Sequence, residues 1–366
     1  MLTRQRTRLR LAGIVVVAAA LLLALLTALQ SPAGPGSATQ APAMAAGRDF
    51  LNKYVEPDGR TVRRDQGGDT VSEGQAYALL VAGALNDQAA FARVWSWTQS
   101  HLQEPDGLFA YRTNAQGQVV DAMPASDADV LTAWALVRMN GPAAAAYHAE
   151  GRRIASAVLM HETVRRGGTL MLAAGPWATG EPITLDPSYW SPAAFAALAR
   201  ATGDPRWREL ADSTIRLSSE LTSDGRLLPP DWARVNVTAP IDTPAPNREA
   251  PSVQYGLDAQ RLIVWLASGC DAPGRSLAAG LNAVLSRGDR AGALALSPVG
   301  AVLNDDHNAM SLVAAAAAAQ AAGDLSRRDQ LLAQAGQVDR AHPTYYGTAW
   351  LALGRILLTT RLLGGC

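Results

Sequence analysis

The sequence predicts an all-α fold in which paired helices close into a double ring, and three observations carry this prediction. Ala and Leu recur at helical spacing along nearly the whole chain after residue 46. Short turns rich in Gly, Asp and Pro separate the helical segments. Many segments are Ala-rich nearly all round, as in 311–322, which favours helices packed inside a second layer over an open solenoid.

The helical segments alternate with turns from one end of the predicted domain to the other. They are predicted over 74–85, 88–102, 129–140, 143–163, 192–202, 205–222, 253–268, 274–285, 308–322, 326–337 and 345–363. No tight repeat of the tetratricopeptide or ankyrin kind accompanies them, which also counts against a solenoid.

Composition limits the class of protein. The 366 residues carry 32 basic and 32 acidic side chains, and 48% of them are hydrophobic. A disordered chain needs high net charge and little apolar mass, so most of this chain is expected to fold, as one large domain or two ordinary ones. The balanced charge gives no electrostatic case for a nucleic-acid partner.

The N-terminal 30 residues read as an export signal. Four Arg lie within the first ten residues, and residues 11–29 form an apolar run without a charge. About 20 apolar residues span a bilayer, and flanking Arg stay in the cytoplasm, so the domain is expected outside the cytoplasm. Two alternatives remain open: an uncleaved membrane anchor, which fits the length, and a secreted protein cleaved within the small residues at 40–47.

These signals divide the chain into three parts. Residues 1–30 form the anchor or signal peptide, 31–46 a flexible linker rich in Pro, Gly, Ser and Ala, and 47–366 the folded domain. Cys270 and Cys366 are predicted either to pair or to stay as two thiols. The sequence shows no metal-ligand spacing and no phosphate-binding motif, so we expect no metal and no cofactor.

Three acidic sites lie where a loop meets a predicted helix: Glu73, Asp127 with Asp129, and Asp258. Such junctions converge at one end of a helical ring, so distant residues can face one cleft. Two carboxyl groups in a cleft are typical of metal-free acid/base chemistry, above all glycoside hydrolysis. The alternative is structural, because the helix dipole favours acidic residues in a first turn anyway.

Together these sites resemble a known family. The run SEGQAYALL at 72–80 resembles the S-E-G-x-x-Y-G motif of the family 8 glycoside hydrolases, and ASDADVLTAWAL at 125–136 resembles their A-[ST]-D-[AG]-D signature. Further blocks that resemble the family follow in order at 95–98, 106–111, 186–192, 228–232, 258–261 and 345–347. The resemblance implies an (α/α)6 barrel, inverting hydrolysis of β-1,4-linked glucans, xylans or chitosan, and in one branch an association with a polysaccharide synthase complex.

The resemblance also implies roles for individual residues. Glu73 matches the general acid, Asp127 the carboxylate that holds the sugar, and Asp258 the general base. A general acid must keep its proton near neutral pH, so burial beside Tyr77 and repulsion from Asp127 have to raise the pKa of Glu73. Arg261, one turn after Asp258, is expected to help keep that carboxylate charged, or to be an ordinary surface partner.

Nine Trp against four Phe suggest a glycan-binding cleft, because an indole offers a broad apolar face to a sugar ring. Besides Arg261, the residues predicted to bind substrate are Trp95, Tyr111, Asp129, Trp134, Tyr189, Trp190 and Trp232. Packing in the core is the alternative for any of these Trp, and it is the prediction for Trp265 and Trp350, which lie inside apolar helices.

The sequence therefore predicts an extracytoplasmic, endo-acting β-1,4-glucanase that uses general acid/base catalysis, with a β-1,4-glucan or a related polysaccharide as its partner. Two alternatives stay open. One is a non-hydrolytic glycan-binding accessory of a polysaccharide synthase, and the other is a polysaccharide lyase on a helical toroid. A lyase needs cations that neutralise a uronate, and the acid-rich cleft argues against it.

Overall fold

The computed structural model describes residues 35–236, 241–243 and 252–364. The chain divides into two compact units, Met1–Ala41 and Pro42–Cys366, and everything described below except residues 35–41 belongs to the second. The predicted membrane or signal helix and Cys366 lie outside the described residues, so the anchor and the cysteine pairing stay predictions. Among the helices that are described, none is long and apolar enough to cross a bilayer.

Twelve α-helices make up most of the described chain. In order they are α1 Pro35–Tyr54, α2 Ser72–Ala84, α3 Gln88–His101, α4 Ser126–Arg138, α5 Ala144–His161, α6 Pro192–Thr202, α7 Arg206–Leu221, α8 Leu257–Ser268, α9 Ala272–Leu285, α10 Ala309–Ala321, α11 Leu325–Ala341 and α12 Tyr345–Thr359. The eleven predicted helices are all present. The helix α1 was not predicted, and it covers residues 35–46 of the predicted linker.

The even-numbered helices form a closed inner ring. Each contacts the next around the ring, and α12 returns to contact α2. Their residues are buried on nearly every side, whereas an outer helix such as α7 buries one stripe, including Trp207, Leu210, Thr214 and Leu217. Six inner helices within an outer layer are the predicted (α/α)6 barrel, which the structure confirms.

Alanine allows the inner helices to approach one another closely. In α10 the run 314–319 is Ala throughout, and each of these residues is at most 2% exposed. The helix contacts α8 and α12 in the inner ring and α9 and α11 outside it. Small side chains on every face let one helix pack closely against four others.

Short antiparallel strands tie together the loops that precede the inner helices. They are β1 Thr70–Val71, β2 Arg112–Thr113, β3 Val119–Asp121, β4 Thr163–Arg166, β5 Thr169–Leu172, β6 Ile183–Leu185, β7 Ala233–Val235, β8 Ala293–Leu296 and β9 Val302–His307. The pair β1–β2 joins the entry of α2 to the entry of α4, and β6–β7 joins the loop before α6 to the loop before α8. These pairings bring the starts of the inner helices together.

Candidate active site

The three predicted acids occupy equivalent positions on the inner ring. Glu73, Asp127 and Asp258 are each the second residue of their helix, α2, α4 and α8. The residues at the N-caps of these helices, Val71, Ala125 and Gly256, make no side-chain cap. Three positive helix ends therefore face one region that is rich in carboxyl groups.

One guanidinium lies at the centre of this region. Arg261 is 2% exposed, and its Nη1 donates to Asp127 Oδ2 at 2.7 Å and to the Tyr77 hydroxyl at 3.0 Å. The same nitrogen is 3.7 Å from Glu73 Oε1, and Nη2 is 3.4 Å from Asp258 Oδ1. Arg261 is thus a buried partner of Asp258 and not an ordinary surface residue.

The shared guanidinium limits the separation of Glu73 and Asp258. Both carboxyl oxygens lie within 3.7 Å of nitrogens on one planar group. Because that group is rigid, the two oxygens are at most about 10 Å apart. Inverting glycosidases place their two carboxyl groups about 6.5 to 9.5 Å apart to admit a water, and this geometry is compatible with that range.

Burial separates the protonation states of the acids. Burial and the nearby charge of Asp127 raise the pKa of Glu73 to about 8. Burial also raises the pKa of Asp127, to about 6, while the charge of Arg261 opposes the rise. Glu73 is therefore protonated at neutral pH, as general acid catalysis requires, whereas Asp127 is mostly charged.

A fourth carboxyl group, Asp186, was not predicted as a site residue. It is 1% exposed, its Oδ1 accepts from the Ser188 amide and hydroxyl, and its Oδ2 lies 3.7 Å from Arg261 Nη2. Burial and the charge of Asp258 raise the pKa of Asp186 well above its usual range. Its burial places it behind the cleft, where it contacts the guanidinium and not the solvent.

A cavity of about 200 Å³ opens above these groups. Glu73 and Asp258 line it, together with Tyr111, Tyr345 and Tyr346. The Asp258 side chain is 45% exposed and reaches solvent, whereas the Glu73 side chain is 16% exposed. One acid is accessible to water and the other is largely shielded from it, which is the division of roles that a base and an acid need.

The predicted substrate residues fall into two groups, and the aromatic rings of the first line the cavity, face Arg261 or remain partly exposed. Tyr111 lines the cavity, and the ring of Tyr189 faces the guanidinium of Arg261 at 5.2 Å. Trp232 is half-buried and its ring lies 6.4 Å from the ring of Trp177, which is 44% exposed. These aromatic side chains remain available to a sugar.

The second group lies in the core, contrary to the prediction. Trp95 packs edge-on against Phe109, Trp134 against Trp265, and the indole of Trp190 donates to the Leu172 carbonyl. All three are at most 7% exposed, because burying an indole in the helical layers removes a large apolar area from water. Trp265 and Trp350 are buried as predicted.

Asp129 also lies below the cleft. It is fully buried, its Oδ1 accepts from the Phe109 amide at 2.9 Å, and it faces Glu162, another fully buried acid. Burial raises the pKa of both carboxyl groups well above their usual ranges. Asp129 therefore fixes the loop before α4 and does not reach a substrate in the cavity.

Sequence reasoning missed Tyr345 and Tyr346 as cavity residues, although both lie in a block that resembles the family. The Tyr346 hydroxyl donates to the carbonyl of Leu257, directly before Asp258, at 3.0 Å. Their position at the start of an inner helix was the available signal.

Among the described residues, no group of three or more His, Cys, Asp or Glu is arranged to hold a metal.

Comparison with known proteins agrees with this arrangement. A family model described as "Glycosyl hydrolases family 8" matches residues 18–360, so the chain belongs to that family, as predicted. Its class of enzyme is the predicted one, a glycoside hydrolase.

Individual relatives and a solved structure are also similar to this chain. A "Probable endoglucanase" of Novacetimonas hansenii is 34% identical over 51% of this chain and 56% of its own length, and "Endoglucanase A" of Acetivibrio thermocellus is 27% identical over 85% and 67%. The chain thus spans about half to two thirds of these curated relatives. The structure of the endo-β-1,4-glucanase CMCax from Acetobacter xylinum has a TM-score of 0.70 at 27% identity, covering 86% of this chain and 97% of that one.

Proposed function

We propose that the chain is an endo-acting β-1,4-glucanase that inverts the anomeric carbon in a single displacement. Glu73 donates a proton to the leaving oxygen, Asp258 removes a proton from the attacking water, and Asp127 holds the sugar at the cleavage point. The observation that carries the proposal is the pair of acids around one guanidinium: Glu73 shielded and protonated, Asp258 exposed and 3.4 Å from Arg261.

The substrate class follows from the cavity and from the relatives. The cavity is lined mainly by tyrosines, and Arg63 is the one cation among its described lining residues. Arg63 is paired with Asp69 at 2.6 Å. Such a site favours a neutral glycan over a uronate. The Trp177 and Trp232 rings supply an apolar surface on which a sugar ring can lie.

The direct test is the release of reducing ends from soluble cellulose, mixed-linkage β-glucan, xylan and chitosan by the full-length chain. We expect a rapid fall in viscosity with few new ends on a β-1,4-glucan, because an endo-acting enzyme cuts inside the polymer. An unsaturated product that absorbs in the ultraviolet would favour a lyase. Glycan binding without any product would favour the non-hydrolytic accessory.

The pH dependence of turnover follows from Glu73. Its pKa is raised to about 8, so the acid is protonated below that pH and loses its proton above it. We expect kcat to fall as the pH rises through about 8, measured from about pH 5 to about pH 10. In Asp127→Asn the residual kcat should fall at a lower pH, because a negative charge that raises the pKa of Glu73 is gone. An alkaline limit that stays in place in this variant would contradict the assignment.

We also propose that the N-terminal segment anchors the enzyme and places residues 47–366 outside the cytoplasm. The Arg cluster and the apolar run at 11–29 support this proposal. The expected result is intact protein in the membrane fraction that protease reaches from the outside of the cell. Mature protein in the medium with a new N-terminus near residue 46 would instead show that the segment is a cleaved signal.

A further inference from the structure

The first turn of α8, which carries Asp258, has no cap from its own sequence. Its N-cap residue is Gly256, which has no side chain, so the first amides of the helix need another acceptor. That acceptor is Asp231. It accepts hydrogen bonds from two backbone amides that lie 25 and 28 residues later in the chain.

The contacts of Asp231 are those of a complete helix cap. Its Oδ1 accepts from the Gly256 amide at 2.9 Å and from the Ala259 amide at 2.9 Å, and Gln254 Nε2 donates to its Oδ2 at 3.1 Å. In a capping box two side chains serve these N-cap and N3 amides. Here one carboxylate serves both, and Asp258 lies between the two amides.

Gly256 makes the room for this carboxylate. Its backbone is extended, with a φ of −104°, so the conformation itself does not require glycine. A Cβ at this position would lie 2.5 Å from Asp231 Oδ2, a distance that requires something to move. The missing side chain and the cap from Asp231 are therefore two parts of one arrangement.

Asp231 is 3% exposed and is not among the residues that line the cavity. Its own amide donates to the Gln254 carbonyl at 3.0 Å, and Tyr255 pairs with Leu296 in an isolated bridge. The segment that enters α8 is thus held on both sides. The next residue after Asp231 is Trp232, so the same stretch joins the base-bearing helix to the aromatic pair.

We propose that Asp231 is a positioning residue that sets the place of Asp258 by capping α8 from outside. This inference rests on the proposed role of Asp258 as the base. Without the cap, the first turn of α8 frays, and the carboxylate loses its fixed distance to the attacking water. Misplacing a catalytic group by about 1 Å can lower a rate by about 100-fold.

The test compares Asp231→Ala with Asp231→Asn. The amide oxygen of Asn can accept the same two backbone bonds, so we expect Asp231→Asn to keep kcat within about threefold of the wild type. Asp231→Ala should lower kcat by about 100-fold with KM changed less than about twofold, because glycan contacts remain. Asp324→Ala is the matched control, since Asp324 caps the outer helix α11 through the Arg327 amide and should leave kcat unchanged.

Two further measurements keep the inference falsifiable if Asp231→Ala does not fold. Gly256→Ala should lower kcat in the same way, because the added Cβ displaces the carboxylate. Hydrogen exchange of the Gly256 and Ala259 amides should become about tenfold faster in either variant and stay unchanged in Asp324→Ala. Normal exchange and kcat in Gly256→Ala, or equal losses in the Asn and Ala variants, would overturn the inference. A wild-type protein inactive on every glucan would contradict the proposed function, while the exchange rates would still test the cap.

Discussion

Replacing Glu73 with glutamine is expected to lower kcat on a β-1,4-glucan by about 10² to 10⁴-fold, because glutamine has no proton to give to the leaving oxygen. The fold should survive the change. Glu73 is already neutral near pH 7, so glutamine preserves both its size and its charge next to Arg261. Steady-state kinetics measure the fall in kcat, and a thermal melt of the same preparation shows whether the fold is intact.

The matched control for this variant is Glu209→Gln on the outer helix α7. Glu209 pairs with Arg165 at the surface, and removing its charge should leave kcat unchanged. Glycan binding by Glu73→Gln should also stay near the wild-type level, measured by calorimetry. A Glu73→Gln variant that keeps more than about a tenth of the wild-type kcat would remove Glu73 from the acid role.

Replacing Asp258 with asparagine is the second large expected effect. Asparagine cannot take a proton from the attacking water, so kcat should again fall by about 10² to 10⁴-fold. Arg261 loses the negative charge of Asp258, whose Oδ1 lies at 3.4 Å, but keeps the carboxylate of Asp127 at 2.7 Å, so the buried guanidinium stays paired. The variant should therefore fold, and steady-state kinetics on the same glucan measure the loss.

Added azide tests whether Asp258 acts as the base, because azide attacks the anomeric carbon without needing to lose a proton. We expect added azide to restore part of the rate of Asp258→Asn and to form a glycosyl azide, whereas Glu73→Gln should gain nothing. Asp204→Asn is the control, since Asp204 pairs with Arg206 at the surface. Retention of most of the wild-type rate by Asp258→Asn would assign the base to another carboxyl group.

The electrostatics of the site explain why a single guanidinium can serve four acids. Taking an unpaired charge out of water costs several kcal/mol, so a buried Arg261 requires a carboxylate partner, and Asp127 supplies it at 2.7 Å. A full set of charged acids would repel one another. Burial reduces this conflict by raising the pKa of Asp186 and of Glu73, and Glu73, whose pKa is raised to about 8, keeps a proton that it can donate.

Local signals predicted the helices well. The helix α6 was predicted over 192–202 and has those bounds, because Ser191 caps its start and Gly203 ends it with a φ of 74°. The strands β6 and β7 were missed because their partners are distant, as with Ile183 and Val235. The hairpin β4–β5, which pairs Arg166 with Thr169, carried a local turn signal that the prediction overlooked. The helix α1 was missed because its composition is typical of linkers and Pro42 lies inside it.

The same contrast holds in the site. Glu73, Asp127 and Asp258 were predicted because the start of an inner helix is readable from sequence. When a helix is buried all round, its sequence does not show which face a tryptophan occupies. Trp134 was therefore predicted in the cleft, although it lies in the core. Asp231 carried no local signal, since both of its amide partners lie more than 20 residues away.

The anomeric form of the first product tests the central claim most directly. If Glu73 donates the proton while Asp258 activates a water on the opposite face, one displacement converts a β-linked glucan into an α-anomer. Proton NMR during the first minutes, before mutarotation, should show the α-anomer accumulating first. A β-anomer as the initial product would require a covalent intermediate with carboxyl groups about 5 to 5.5 Å apart, and it would contradict the acid and base assignments together.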